Sequence, residues 1–392
     1  MRIVDVCEFY SPRGGGVRTY IDRKMTLLAE LGHELVVLAP ATEDGVEERP
    51  GGGRIEWIKA PALPFDRNYR MFWDAEPVHR ALDALRPDVV EASSPWRPAW
   101  IVGGWRGDAA KVFFLHNDPV VSYPHRWFGA VAPRERIDRA FEWFNCYLRR
   151  ITPRFDSVVV GGASLARRLA DRGIGPVTCV GMGIERDVFS PRRRDPALRA
   201  RLLVQCGLPE SARLLLGVGR HHPEKRWPLV IEATQAAAAG LPVGLILIGD
   251  GVDRKTVART VGGDPHVRLF CPVYDRARLA TILASADALI HGCEGETFGM
   301  VASEALASGL PLIVPDEGGC ADIARPAFSE TWRARDVRAA SDAITRLFAR
   351  DQRALRVAAC EAALGVRSDR DHAVGLAGHY TGLLGLPDRA VA

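Results

Sequence analysis

Two glutamates, Glu296 and Glu304, flank a loop and the start of a predicted helix in the run HGCEGETFGMVASEALASG. A helix that begins near Met300 would present unpaired N–H groups and the positive end of its dipole, and both features attract anions. Gly299 would let a phosphate approach the backbone closely. Residues 296 to 304, at a mostly helical rise, span roughly 10–12 Å, about the separation of a sugar hydroxyl and a ribose hydroxyl across a diphosphate. Because carboxylates accept hydrogen bonds from hydroxyls, the pair predicts a site for a phosphorylated, hydroxyl-rich ligand, with a solvated surface helix as the alternative.

A second candidate group lies in GVGRHHPEKRWPLVIEA, where a predicted strand ends at Arg220 and Lys225 follows before a helix. Arginine offers a planar fork of donors and lysine a compact charge, which together suit a diphosphate that gains negative charge. Read alone, the run is as compatible with a basic surface turn. Beside the two glutamates, the interpretation as a diphosphate site is the better one.

The first half of the chain carries weaker signals. Three glycines at 14–16 precede a predicted helix in SPRGGGVRTY, and His116 follows a strand in KVFFLHNDP. The glycine run does not complete GxGxxG, and no acidic residue ends the second strand, so a dinucleotide cofactor is disfavoured. Asp369 and Asp371 form a DxD pattern far from any predicted strand end, which we interpret as a solvated segment rather than a metal site.

These residues require a scaffold of parallel strands. Short β-branched runs alternate with helical patterns, and the strands show little period-2 pattern, as expected when both faces are buried. The series repeats in the second half of the chain, which predicts an α/β protein of two doubly wound, Rossmann-like domains that face each other across a cleft. We place the domains at residues 1–188 and 189–371 with the linker near 189–194, and we leave open whether a C-terminal helix at 372–392 joins the first domain.

Composition narrows the class of partner. The chain has 392 residues, 26% of them charged, and a net charge of +4, which is too small a bias to indicate nucleic acid binding. Eight scattered cysteines without a CxxC pair, and a start that lacks a signal-peptide pattern, predict a cytosolic protein. Aromatic and basic residues mix in ERIDRAFEWFNCYLRRITPRF, which predicts one helix suited to an amphipathic acceptor or to peripheral contact with a membrane, although ordinary core aromatics explain the pattern better.

At this point the sequence resembles the retaining glycosyltransferases of family 4, which have the GT-B fold. ETFGMVASE matches the family's EX7E signature, and EALASGLPLIVPDEGG continues the match. GGGVRTY, GVGRHHPEKRW, the IGDG at 248–251 and the linker MGIERDVFSP follow the family's motifs in order, so the resemblance covers nearly the whole chain. Two departures stand out, because Arg226 replaces the usual glycine after the EK pair and Glu185 replaces the common aspartate in the linker.

The resemblance implies roles for individual residues. Glu296 would contact hydroxyls of the donor sugar, Glu304 would contact the ribose, and Arg220 and Lys225 would hold the diphosphate. His116 would face the sugar near the acceptor. The other donor contacts would come from the backbone of glycines in the first domain and of the loop and helix start in the second: Gly15, Gly16, Phe298, Gly299, Met300 and Val301. Family members need no metal and no other cofactor.

The implied reaction transfers a hexose from a nucleotide-diphosphate sugar to a lipid or a lipid-linked glycan of the cell envelope, with retention by front-face attack. UDP-hexose and GDP-mannose both stay open as donors, with a slight preference for UDP. Within enzymes, the alternatives are a GT-B nucleotide-sugar epimerase and a phosphorylase, which would need pyridoxal phosphate. A non-catalytic nucleotide-sugar-binding protein is the alternative from another class.

Overall fold

The structure is a computed structural model that describes residues 1–11, 16–62, 70–122, 124 and 132–386. The chain divides into two compact units, one formed by Met1–Gly181 with Asp369–Ala392 and the other by Met182–Ser368. Phe189, at the start of the predicted linker, is buried in the core of the second unit. The chain therefore enters the second unit at Met182, several residues before the predicted linker begins.

The first unit contains an eight-stranded sheet with helices packed on it. Its strands are β1 (Arg2–Val6), β2 (Glu34–Ala41), β3 (Gly45–Glu48), β4 (Arg54–Lys59), β5 (Val89–Ala92), β6 (Ala110–Leu115), β7 (Ser157–Val160) and β8 (Val177–Cys179). Among its described residues, the helices before the C-terminal segment are α1 (Gly16–Glu30), α2 (Glu76–Leu85), α3 (Arg97–Gly104), α4 (Pro119–Ser122), α5 (Arg134–Ala140), α6 (Glu142–Ile151) and α7 (Ala163–Asp171), and a 3₁₀ turn covers Thr152–Arg154.

The strand order in this sheet is β3-β4-β2-β1-β5-β6-β7-β8, and every described pair except β3–β4 is parallel. The central strands β1, β5, β6 and β7 are almost entirely buried, as their unbroken apolar runs predict. Helix α1 ends where the sequence predicts, because Gly32 adopts φ +77°. His33 N–H then donates to Leu28 C=O and Gly32 N–H to Ala29 C=O, which completes a Schellman motif.

The second unit contains a six-stranded sheet. Its strands are β9 (Arg213–Val218), β10 (Val243–Ile248), β11 (Val267–Phe270), β12 (Ala288–Ile290), β13 (Leu312–Pro315) and β14 (Ser329–Trp332). Its helices are α8 (Pro196–Gln205), α9 (Trp227–Ala238), α10 (Arg254–Val261), α11 (Arg276–Ser285), α12 (Met300–Ala307), α13 (Gly319–Ile323), α14 (Val337–Ala349) and α15 (Gln352–Ala363), with 3₁₀ turns at Pro191–Arg193 and Pro223–Lys225.

All described strand pairs of the second sheet are parallel, in the order β11-β10-β9-β12-β13-β14. Counted from β9, this is the 3-2-1-4-5-6 order of a doubly wound sheet. Separate apolar clusters cover its two faces, which explains why its strands lack an alternating pattern. The two units confirm the predicted α/β architecture.

The last described helix, α16 (Asp369–Leu383), belongs to the first unit and packs on α1. Its His372 Nε2 lies 3.0 Å from Tyr20 Oη on α1, and Asp369 pairs with Arg23 at 2.5 Å. Asp371 is exposed to solvent, as the interpretation of the DxD pattern as a solvated segment expects. Asp369 and Asp371 form the first turn of a helix, and Asp369 is fixed by an ion pair to a residue far away in the sequence.

The aromatic and basic stretch of the first unit forms two helices rather than the predicted single one. Helices α5 and α6 are separated at Phe141, whose φ of −104° and ψ of 12° lie outside the helical range. Helix α6 buries Phe144, Leu148 and Ile151, while Trp143 keeps 58% of its surface exposed. Among the residues that the structure describes, no helix is long and apolar enough to cross a membrane.

Candidate active site

The strand order of the second unit reverses between β9 and β12, which are direct neighbours. In open parallel sheets, ligands bind beyond the carboxyl ends of the strands at such a switch point. The loop after β9 carries Arg220 and Lys225, and the loop after β12 carries Glu296. The topology therefore brings the two candidate groups of the sequence to one edge of one sheet.

Close backbone packing shapes the loop that follows β9. A Cβ atom on Gly249 would lie 1.9 Å from the carbonyl oxygen of Gly219, and one on Gly251 would lie 2.4 Å from that of His221. His221 N–H donates to Asp250 C=O at 2.8 Å, which ties this loop to the one after β10. The two glycines of IGDG are thus needed for the loops after β9 and β10 to pack against each other.

An ion pair joins the two candidate groups. Lys225 Nζ lies 2.5 Å from Glu296 Oε2, and the side chains are only 15% and 20% exposed. Burial alone would raise the pKa of Glu296, but the Lys225 ammonium, with His291 and the Gly299 N–H, lowers it to about 2. Burial opposes the charge of Lys225 too, yet the neighbouring carboxylate raises its pKa. Both groups are charged at neutral pH, so Glu296 can accept hydrogen bonds and is a weak base.

His291, which is not among the residues predicted from the sequence, lies beside this ion pair. Its Nε2 is 3.7 Å from Glu296 Oε2, and its Nδ1 lies 3.2 Å from the N–H of Cys293. Burial, together with the Lys225 charge, lowers the pKa of His291 to about 4, so the imidazole is neutral at pH 7. Its position directly after β12 is the signal that could have identified it, since strand ends are where ligands bind in this fold.

A buried carboxylate, Glu294, holds two arginines that stand in the left-handed backbone region. Arg226 has φ 48° and Arg335 has φ 67°, and both guanidinium groups bond Glu294. Burial would raise the pKa of Glu294, but these two cations lower it to about 2. The left-handed conformation is one that glycine adopts without strain, which fits the glycine that the resemblance implies at the position of Arg226, and the bidentate pair with Glu294 offsets the backbone strain in this chain.

The loop before α12 is packed tightly against the loop after β13. Gly299 caps α12 with φ 68°, and Gly318 has φ 83°, where a Cβ atom would lie 2.5 Å from Glu294 C=O. Gly319 N–H donates to Glu296 C=O at 2.6 Å. These contacts fix the loop backbone through Phe298 and Gly299 up to the first turn of α12. Met300 and Val301 begin that helix, and the N–H groups of a first turn have no partner within their own helix.

Glu304 lies within α12, and its side chain is only 6% exposed. Arg276 donates to Glu304 at 2.6 Å and to Glu185 at 2.7 Å. The Arg276 guanidinium also stacks over the Phe189 ring, 4.7 Å from its centroid. Burial raises the pKa of Glu304, while Arg276 opposes that rise. The departure at Glu185 thus acts on Glu304 through a shared arginine.

Arg220 contributes to the site differently from Lys225. Its side chain is 76% exposed, and its guanidinium lies 3.4 Å from Glu224, which is a weak exposed pair. Its carbonyl oxygen accepts a hydrogen bond from the buried Trp227 indole, so the backbone is fixed while the side chain extends into solvent. Of the predicted charged residues, only Lys225 and Glu296 are in direct contact in the described structure.

The remaining predicted residues belong to the first unit. Gly15 lies outside the described residues, and Gly16 begins α1. The His116 ring stacks on Phe114 at 4.5 Å, its buried Nε2 has no hydrogen-bond partner, and burial lowers its pKa to about 4. Asp118, two residues later, caps α4 and pairs with two arginines. His116 is therefore a neutral ring with a nitrogen available for a ligand.

A cavity of about 360 Å³ opens in the first unit beyond the carboxyl ends of β1 and β2. Glu8 is almost fully buried in its lining, with one oxygen 2.6 Å from the Ser94 hydroxyl and the other without a partner. Burial raises the pKa of Glu8 to about 7. Tyr10 and Trp57, whose rings lie 5.8 Å apart, also line the cavity. Glu8 was not among the predicted residues, although only Cys7 separates it from the end of β1.

Two family models cover most of the chain. The model "Glycosyltransferase Family 4" matches residues 14–188, and "Glycosyl transferases group 1" matches residues 200–362. The second match contains every candidate residue of the second unit, and the first contains His116.

Curated relatives from Mycobacterium tuberculosis match over most of both chains. The GDP-mannose-dependent alpha-(1-6)-phosphatidylinositol dimannoside mannosyltransferase of strain H37Ra is 31% identical over 340 residues, which are 82% of this chain and 84% of the relative. The GDP-mannose-dependent alpha-mannosyltransferase of strain CDC 1551 is 31% identical over 83% of this chain and 82% of the relative. Among solved structures, sucrose-phosphate synthase from Thermosynechococcus elongatus superposes with a TM-score of 0.77 at 19% identity, over 98% of this chain and 99% of that one. This last similarity shows the GT-B fold.

Proposed function

The chain belongs to glycosyltransferase family 4, and from this premise we propose that it transfers mannose from GDP-mannose to a glycosylated inositol phospholipid, with retention and without a metal ion. The observation that carries the proposal is the Lys225–Glu296 ion pair at the switch point of the second sheet, beside the start of α12. The names of the mycobacterial relatives support GDP-mannose as the donor, and we therefore propose it in place of the slight preference for UDP.

We assign different parts of the donor to different residues of the site. Charge develops on the departing diphosphate, and stabilising that charge is where a transferase gains most. We assign this task to Lys225, to the exposed guanidinium of Arg220 and to the backbone N–H groups around Gly299 and Met300. Two cationic side chains and the N–H groups of a helix start can stabilise the charge of a diphosphate without a metal ion, which supports a metal-free reaction.

The carboxylates bind hydroxyl groups in this proposal. Glu296 accepts hydrogen bonds from hydroxyls of the transferred sugar. Glu304 accepts hydrogen bonds from the ribose hydroxyls while its carboxylate stays bonded to Arg276. A pKa of about 2 makes Glu296 a poor nucleophile, because its charge is already satisfied by Lys225. This supports front-face attack by the acceptor hydroxyl, with the leaving phosphate taking the proton, over a covalent glycosyl-enzyme intermediate. Retention agrees with the alpha linkage in the relatives' names, since GDP-mannose carries its sugar in the α configuration.

The acceptor is assigned to the first unit. Aromatic rings beside a carboxylate are a common way to bind a sugar or cyclitol ring, and the cavity with Glu8, Tyr10 and Trp57 offers both. His116, with its free nitrogen, is proposed to face the transferred sugar. The exposed Trp143, with basic residues in the last turn of α6, suits peripheral contact with the membrane that carries the lipid.

The donor is tested first by thermal shift with GDP-mannose, UDP-glucose and the free nucleotides, because a ligand that binds only the folded state raises its stability. Transfer from GDP-mannose to a phosphatidylinositol mannoside is then followed by mass spectrometry. The one-bond C1–H1 coupling of the product, measured by NMR, reports whether the configuration is retained. Unchanged rates in a chelator support the metal-free reaction. A donor that is epimerised without acceptor, or bound and never consumed, would point instead to the epimerase or to the non-catalytic binding protein.

Lys225→Ala tests the assignment of charge stabilisation. We expect turnover to fall by about 10²–10³-fold, as for the loss of one preorganised donor to a developing charge, with a smaller loss of donor affinity. Glu296→Ala is expected to abolish transfer while the fold persists. Lys255→Ala, which removes an exposed lysine elsewhere in the second unit, is the matched control. Turnover of Lys225→Ala equal to that of the control would remove Lys225 from the mechanism.

A further inference from the structure

A cavity of about 570 Å³ lies in the second unit at the amino ends of its central strands. Arg213, which begins β9, lines it together with Asp287 and Pro311, which directly precede β12 and β13. The candidate donor site lies beyond the carboxyl ends of the same strands. Because β9 has six residues, at about 3.3 Å each the two edges are roughly 20 Å apart. A ligand in this cavity is therefore remote from the reacting atoms.

The lining of the cavity is strongly basic. It contains five arginines against two carboxylates, Glu210 and Asp287; the arginines are Arg194, Arg199, Arg213, Arg353 and Arg356. Arg199 uses up one carboxylate, because it bonds both oxygens of Asp287 at 2.9 and 2.7 Å. Four guanidinium groups then remain against Glu210, which is exposed to solvent. Among the residues that line the cavity, positive charge is therefore in excess.

Arg356 shows what this excess of charge does. Its guanidinium donates to the carbonyl oxygens of Ala284 and Ala286, which orient the group without neutralising it. Burial, together with the nearby charges of Arg194 and Arg199, lowers the pKa of Arg356 to about 10. An anion in the cavity would remove this electrostatic cost, because charges of opposite sign favour the protonated form.

The helices at the cavity do not supply the anion-binding groups. Asp351 caps α15 by accepting from the N–H groups of Arg353 and Ala354, and Asp195 caps α8 in the same way through Leu198. Binding must therefore come from side chains, and a planar guanidinium with five donors matches phosphate oxygens in bidentate geometry. Arg194 and Arg353 are exposed at the cavity. They can move toward a ligand, while Arg199 and Arg356 are already fixed.

We propose that this cavity is a second anion site, which binds a phosphate group of a phosphorylated ligand away from the donor site. Two sources share that chemistry, a soluble phosphate ester and the headgroup of an anionic phospholipid. The site is independent of the proposed reaction, because none of its residues belongs to the group at the carboxyl ends of β9 and β12. A ligand bound there would contact the second unit at the edge of the sheet opposite the candidate donor site.

The experiment compares the full chain with the double variant Arg194→Ala/Arg353→Ala. The control double variant, Arg259→Ala/Arg278→Ala, removes the same charge from exposed positions outside the cavity. Pyrophosphate binding is measured by isothermal titration calorimetry in a Lys225→Ala background, which weakens competition from the candidate donor site. Binding to vesicles of phosphatidylcholine with and without phosphatidylglycerol forms the second arm. Circular dichroism checks that each variant is folded.

The expected result is that the cavity variant binds pyrophosphate about a hundredfold more weakly, while the control variant binds as the parent does, since each lost charge-assisted bond costs about a factor of ten or more. Loss of binding only to vesicles with phosphatidylglycerol would identify a lipid headgroup as the source of the phosphate. Equal binding by the cavity and control variants in both arms would overturn the proposal. With Lys225 intact, glycosyl transfer without added anion is expected to be unchanged by Arg194→Ala/Arg353→Ala, so failure here is distinct from failure of the proposed function.

Discussion

Replacing Lys225 with methionine removes the only cation bonded to Glu296 in the described structure while keeping most of the apolar side-chain volume. The carboxylate is then left beside His291, 3.7 Å away, in a site where burial disfavours its charge. We expect Lys225→Met to destabilise the second unit, and the size of the effect to depend on pH.

The magnitude follows from the pKa of Glu296, which falls from its usual 4.5 to about 2 in the folded protein. At about 1.4 kcal/mol per unit, the surroundings stabilise the charged form by about 3 kcal/mol. Because the folded pKa is depressed, this stability is present above pH 4.5 and is lost only as pH falls towards 2. Breaking a buried pair typically costs about 3–5 kcal/mol, so a loss of about 3 kcal/mol is expected at pH 8.

In the variant the sign of the dependence reverses. Without Lys225, burial raises the pKa of Glu296, and His291 loses the neighbouring cation that lowers its own pKa. The folded variant therefore takes up a proton as pH falls, and its deficit in the free energy of unfolding is expected to shrink between pH 8 and pH 5.

Urea denaturation of both proteins at pH 5, 6, 7 and 8 measures this deficit. The double variant Lys225→Met/Glu296→Gln is the control, and it should recover most of the lost stability at pH 8 because no buried charge is left unpaired. A deficit of constant size across these pH values, or no rescue by Glu296→Gln, would refute the account of the ion pair.

Three further predictions follow from single contacts. Glu8→Gln is expected to have the wild-type free energy of unfolding at pH 4 but to be more stable than the wild type at pH 8, by up to about 3 kcal/mol in urea unfolding. The reason is that the folded pKa of Glu8 is raised to about 7, so the wild type loses stability as pH rises to 7. Equal pH profiles would show that Glu8 is not buried without a partner. Arg226→Gly is expected to cost about 1–2 kcal/mol despite easing the backbone, since Glu294 keeps only Arg335; a stabilised variant would show that the pair adds nothing. Gly318→Ala is expected to lower the thermal midpoint and transfer activity together, because its Cβ atom would meet Glu294 C=O at 2.5 Å, whereas Gly263→Ala, also at positive φ but with open space, should keep its activity.

Local pattern was enough to predict most of the scaffold. The central strands are runs of buried β-branched and leucine residues, and the sequence marks them because both of their faces are covered. The edge strands β3, β8 and β14 were missed, since short edge strands lack such runs, and β4 was missed because it is only partly buried. The split of one predicted helix at Phe141 was missed because no glycine or proline marks it.

The sequence by itself determined which functional groups are available at the ends of β9 and β12. Lys225 and Glu296 follow these strands, which their apolar runs identify. The tertiary structure decided how those groups are paired. Lys225 meets Glu296 across 71 residues of chain, and Arg335 and Arg226 converge on Glu294. It also decided that Glu304 is held by Arg276, and that His291 and Glu8 belong to the candidate sites. Strand order sets these contacts, and periodicity along the chain reports which residues are buried but not which distant residues become neighbours.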